Sequence, residues 1–68
     1  MITVTRINQR VMVINAELIK MIESSPDTII TFVNGDSMTV RESVDEIVRK
    51  AIDYQRQIHG FRVTSAEA

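Results

Sequence analysis

The chain of 68 residues has no cysteine and no tryptophan, one proline, one histidine, two glycines and only three aromatic side chains, Phe32, Tyr54 and Phe61. Without cysteine it can form neither a disulfide nor a thiolate metal site, and it has no cysteine nucleophile. A single histidine cannot furnish a histidine-rich metal centre, and three scattered aromatics do not make a base-stacking platform or an aromatic cage. Charge of one sign is also missing. Eight Lys and Arg stand against nine Asp and Glu, a net charge of −1, and the two signs are interspersed. A duplex reader neutralises phosphates with a surplus of cations on one face, so no nucleic-acid partner is expected. No apolar run approaches the ~20 residues of a membrane span. The first residues lack the basic segment and long apolar stretch of a signal peptide. The expectation is therefore a cytoplasmic protein without membrane insertion.

So short a chain removes only about 60% of its unfolded surface from water on folding. With disulfides and metals excluded, a partner subunit is the expected supplement to its core.

What is present is strong local patterning. Ile2-Thr3-Val4-Thr5-Arg6-Ile7 alternates apolar and polar residues with the period of a half-buried strand. Asn8-Gln9-Arg10 breaks it, with Gln9 where a hairpin prefers glycine. Val11-Met12-Val13-Ile14 is apolar at every position and reads as a strand covered on both faces. Asn15 to Leu18 forms a bend or one helical turn capped by Asn15. Ile19 to Glu23 is a third strand, and Ser24-Ser25-Pro26-Asp27 a turn. Thr28 to Val33 is the clearest strand, with Thr28, Ile30 and Phe32 on one face and Ile29, Thr31 and Val33 on the other. Asn34-Gly35 signals a hairpin returning through Ser37 to Arg41. Short links between consecutive strands imply an antiparallel meander.

A helix follows. Ser43-Val44-Asp45-Glu46 has the form of a capping box. Apolar residues at Val44, Ile47, Val48, Ala51, Ile52 and Ile58, with Tyr54 beside them, form the stripe expected to pack on the sheet. Asp45 with Arg49, and Glu46 with Lys50, are spaced for acid-first pairs along the helix. His59-Gly60 is the expected end, glycine being the preferred left-handed cap. The fold class is thus α+β: a small antiparallel sheet of four to five strands in a meander, then one C-terminal amphipathic helix. Residues 1–60 form a single domain and residues 61–68 a flexible tail.

Nothing in this pattern points to catalysis, a cofactor or a metal. His59 is the one candidate base at neutral pH, and its place in the last helical turn reads as capping or solvated. No serine has a nucleophile-elbow context. Asn34-Gly35-Asp36 supplies too few oxygen ligands for a cation loop. Asp45 and Glu46 are accounted for by the helix start. Met12, Met21 and Met38 are expected to fill core gaps. One feature asks for more. A single helix covers one face of a sheet, yet Val11 to Ile14 and Ile29 to Val33 are apolar on both faces. Self-association through the uncovered sheet face or an edge strand is the expected outcome.

In this order and spacing the motifs resemble the FlbD family of small bacterial flagellar proteins, also called the SwrD family. The resemblance runs from Met1 to about Ile58. It rests on Thr5-Arg6-Ile7-Asn8, on Asn15 with Glu17 and Ile19, and on Ile22-Glu23. It continues through Pro26-Asp27-Thr28 with Ile30-Thr31, then Asn34-Gly35, Val40, Glu42-Ser43 and Asp45-Glu46. The chain departs at Gln9, where the family usually has glycine, and at Lys20, where members often have an acid. The resemblance implies a role in flagellar motility at the motor or its stator, with the protein associated with the flagellar base, and no known enzymatic chemistry. Residues 19–43 also look like the late part of LytTR-type DNA-binding domains, an alternative against which the chain's length and net charge stand. Within the family pattern, Arg6, Asn8, Asp27, Thr28, Arg41 and Glu42 are polar groups at strand ends that core packing does not require. They are the candidate partner-binding residues. Their competing reading is structural: Arg6 paired with Glu42 or Glu23 across the sheet, and Asp27 making its own turn.

The capping box is the most local of these readings. Ser43→Ala should lower stability by about 1 kcal/mol, and an unchanged denaturation midpoint would place the helix start elsewhere.

Overall fold

A computed structural model describes the backbone of residues 1–67 and the side chains of residues 1–57. Five strands, β1 (Ile2–Thr5), β2 (Val11–Ile14), β3 (Ile19–Ser24), β4 (Thr28–Phe32) and β5 (Ser37–Val40), precede the helix α1 (Val44–Glu67). The α+β class and the single C-terminal helix agree with the sequence pattern. The single meander does not. β1 and β2 form one antiparallel hairpin, and β3, β4 and β5 a separate three-stranded antiparallel sheet. A short 3₁₀ turn, Ala16–Leu18, separates β2 from β3, its start capped by the Asn15 side chain accepting from the Glu17 N–H. This turn diverts the chain, so the link between the two sheets is made elsewhere: Arg6 bridges antiparallel to Val40, and the Arg41 N–H donates to the Thr5 carbonyl at 2.8 Å. β1 thereby meets β5.

The two hairpin loops are built alike. In the second, Phe32 N–H donates to the Asp36 carbonyl and Gly35 N–H to the Phe32 carbonyl. Gly35 takes φ +96°, and the Asn34 side chain accepts from the Asp36 N–H at 3.0 Å. This is a type I turn followed by a left-handed residue. The first loop repeats each feature. Arg6 N–H donates to the Arg10 carbonyl and Gln9 N–H to the Arg6 carbonyl, and Asn8 accepts from the Arg10 N–H at 3.1 Å. Gln9 occupies the place of Gly35, at φ +76°.

The core lies between the inner faces of the strands and α1. Ile2, Val4, Ile14, Ile30, Val40 and Ile47 are buried, with Met12, Ala16, Ile19, Ile22, Phe32, Met38 and Tyr54 packed against them. Each fully buried aliphatic side chain contributes about 1.5–3 kcal/mol by leaving water. Thr28 is buried among them, and no buried side-chain polar atom among the described residues lacks a hydrogen-bond partner. The inner and outer faces of β4 follow the sequence pattern, with Thr28 and Ile30 buried.

The helix departs from expectation in two ways. Val48 and Ile52 point away from the core, 40% and 47% exposed, while among the described helix residues Ile47 is fully buried and Ala51 and Tyr54 are half-buried. The apolar stripe is wider than the strip of sheet beneath it, so only one flank packs. Second, α1 runs past Gly60 to Glu67. A glycine inside a helix costs about 1 kcal/mol relative to alanine and does not by itself end one. The side chains of Ile58 and His59 lie outside the described residues, as does Ala68. The capping box is as expected: Glu46 N–H donates to Ser43 Oγ at 3.1 Å, and Ser43 N–H to Glu46 Oε1 at 3.0 Å. Met12 and Met38 fill the core edge as expected, whereas Met21 is 47% exposed on the outer face of β3.

A left-handed conformation places the Cβ of any residue but glycine against its own backbone. Gln9→Gly should therefore stabilise the protein by about 1 kcal/mol, read as a raised chemical-denaturation midpoint. A lower midpoint would show that the loop does not hold this conformation in solution.

Candidate functional site

The six candidate residues divide into two groups according to what their side chains do. Thr28 and Glu42 belong to the scaffold. Thr28 is buried and pairs with Val40 across β4 and β5. Glu42 sits at the corner between β5 and α1, where its Oε1 accepts the Thr5 backbone N–H at 2.9 Å. Partial burial pushes the Glu42 carboxyl up. That is the largest single influence, but hydrogen bonds from the Thr5 N–H, the Thr5 hydroxyl and the Glu42 N–H, with a smaller attraction from Lys50, together outweigh it and hold the group below the usual carboxylate range. The expected pairing of Arg6 with Glu42 is replaced: the Arg6 guanidinium donates to Met12 Sδ at 3.7 Å. Lys50 likewise leaves Glu46 to the capping box and donates from Nζ to the Thr3 carbonyl at 2.6 Å.

Arg6, Asn8, Asp27 and Arg41 form the second group, all exposed. Two separate clefts hold them, and Ile7, at the tip of the first hairpin, borders both. On one side an open cleft of about 550 Å³ is lined by Ile7 with Asp27, Thr28, Arg41 and the first residues of α1. On the other, Arg6, Ile7 and Asn8 face Ser37, Met38 and Thr39 of β5. Arg6 also borders a third depression with Val33, Asn34 and Asp36 from the second hairpin loop. The first loop therefore stands between the helix entry and the second loop, with a positive charge and an amide flanking an apolar tip. Asp27 sets its turn through its backbone, its carbonyl accepting the Ser25 N–H at 2.9 Å.

Ile7 was not among the sequence candidates, although a signal for it existed. The inward positions of β1 are Ile2 and Val4. The next in phase is Arg6, so Ile7 falls on the outward phase, where an apolar residue is not needed by the core. Ile7 is 46% exposed. Val11 and Val13 on β2 and Val33 in the second loop are exposed above 60%. The sheets thus do carry apolar groups on both faces, as the strand patterns implied. Among the described residues no group of three or more His, Asp or Glu is placed to hold a metal ion, and no helix is long and apolar enough to cross a membrane.

The fold and this surface define a small α+β domain of five short strands and one long helix, with exposed polar groups in two clefts on either side of a hairpin tip. The family model described as FlbD, flagellar and swarming motility proteins, matches residues 1–59, and the chain belongs to that family. No curated protein and no solved structure matches it. The match spans the elements from β1 into α1, and includes the Gln9 position at which this chain departs from the glycine expected from the resemblance.

Because the Glu42 carboxyl is held below its ordinary range in the folded state, it adds stability above the unfolded pKa. That contribution is lost as pH falls through the lower folded value. Glu42→Gln should cost about 1 kcal/mol near neutral pH, the difference between a charged and a neutral acceptor. The difference from the parent protein should close in acid. Denaturation midpoints across a pH series measure this; a deficit independent of pH would mean the charge is irrelevant.

Proposed function

We propose that this FlbD-family chain acts without enzymatic chemistry, as a protein-interaction domain that supports flagellar motility by docking on a protein of the motor or its stator. It does so in the cytoplasm, at the flagellar base. The observation that carries the reading is the tip of the first hairpin. Exposed Ile7 borders two open clefts, one with Arg6 and Asn8 and the other with Asp27 and Arg41, and the core buries none of these four side chains. An apolar centre with a charged, hydrogen-bonding rim is the usual anatomy of a protein contact. Tight hairpin loops hold such groups rigidly, which limits the ordering cost of binding. The site's clefts are open, and the one beside the helix entry adds Asp27, Arg41, Asp45 and Glu46 to the rim, so charges of both signs are available to a partner.

Arg6→Ala tests the reading. Its guanidinium is exposed and hydrogen-bonds to Met12 Sδ at 3.7 Å, so folding should change by less than about 0.5 kcal/mol, as for surface substitutions generally. Swimming or swarming speed should fall. If stability falls in step with motility, Arg6 is structural and this surface is not the site. Salt-sensitive binding of the purified protein to arbitrary duplex DNA would instead favour a nucleic-acid role.

A further inference from the structure

The outward face of α1 carries a second surface, which shares only Asp45 with the clefts around Ile7. Asp45, Val48, Arg49, Ile52, Asp53 and Arg56 line one continuous shallow depression along the helix. Val48 and Ile52, one turn apart, are 40% and 47% exposed. At about 100° per residue, Arg49, Asp53 and Arg56 all fall on the same side of this apolar pair, with Asp45 between. The order of charge along that side is acid, base, acid, base.

We propose that this face binds a second copy of the same chain, its helix running antiparallel about a two-fold axis. The argument is complementarity to itself. A two-fold interface requires that residue i meet residue j and residue j meet residue i. In an antiparallel pair the same flank of each helix faces its copy. Asp45 then lies opposite Arg56, Arg49 opposite Asp53, and Val48 opposite Ile52. All three pairs are centred within about half a residue of the Lys50–Ala51 peptide, so one axis satisfies them together. Each pair occurs twice, giving four opposite-charge contacts around a closed apolar strip. A parallel pair would set every charge beside its own copy. The exposed Val11 and Val13 of β2 offer no such register, because the outward residues beside them on β1, Thr3 and Thr5, are uncharged.

The strip is small, and exposed ion pairs add orientation more than affinity. The dimer is therefore weak, forming in the upper micromolar range, and is loosened by salt.

Sedimentation of the full chain over a micromolar-to-millimolar series tests this, with circular dichroism to confirm folding of each variant. The parent should show a monomer–dimer equilibrium. R49E and D53R should each weaken association at least several-fold, because each sets like charges across the axis. An equimolar mixture of the two variants should associate as well as the parent, since the reversed charge of one then meets the reversed charge of the other. Restoration in the mixture separates pairing between chains from the ordinary i, i+4 contact of Arg49 with Asp53 within one helix, which mixing cannot repair. A parent that stays monomeric throughout, or a mixture no better than the separate variants, overturns the proposal. So does a dimer indifferent to both substitutions.

Discussion

The structure depends on the outer edge of β1 being closed by residues from the opposite end of the domain. A two-stranded hairpin alone is marginal in water, and β1 pairs in register only with β2. Its other edge carries the Thr3 carbonyl and the Thr5 N–H and carbonyl. Lys50 takes the first, Glu42 the second and the Arg41 N–H the third. The last two come from the corner where β5 turns into α1, and Lys50 from the second turn of that helix. The carboxylate on the Thr5 N–H is charge-assisted, and such bonds are roughly twice as strong as neutral ones. This corner makes one core of two small sheets. It sets Ile2 and Val4 over Ile47, and it fixes the hairpin tip beside Arg41 and Asp27.

The same arrangement explains what could be read from the residues and what could not. Ser43 and Glu46, Asn34 and Gly35, and the two faces of β4 are each decided by neighbours a few positions away, and local physics names them correctly. The β1 edge is closed by bonds spanning 37 and 47 positions. Lys50, four residues after Glu46, has a nearer partner and looks complete without Thr3, while Glu42 has Arg6 as its expected partner in place of the Thr5 backbone. The helix stripe misled for a related reason. Helical spacing shows which residues are apolar but not how wide a sheet lies beneath, so on spacing alone Val48 and Ile52 read as inward. The meander failed at Asn15, where the sequence allowed either a bend or a turn and only the turn redirects the chain.

The candidate site was legible in part. Of the six residues chosen for lying at strand ends, Arg6 and Asn8 stand at the tip of the first hairpin, and Asp27 and Arg41 line a separate cleft that Ile7 also borders. Thr28 and Glu42 were chosen by the same rule and serve the scaffold. The rule cannot tell a polar group facing water from one facing an unpaired backbone N–H. Ile7 escaped because an apolar residue at the end of an alternating strand reads as core unless its phase is counted. Membership of the FlbD family gives this geometry its motility setting. A domain with so small a core keeps apolar groups on β2, on the second loop and on α1 at its surface, and these are where contact with other chains is to be sought.

Whether β1 is tied to the rest of the domain through Thr5 is best tested by native-state amide hydrogen exchange on the full chain. If Glu42 closes the edge, the Thr5 amide exchanges as slowly as the amides of the central strand β4, opening only with the whole domain. A Thr5 amide that exchanges as fast as those of the hairpin tip, with β4 still protected, would contradict the account and leave the first hairpin as a separate, loosely docked unit.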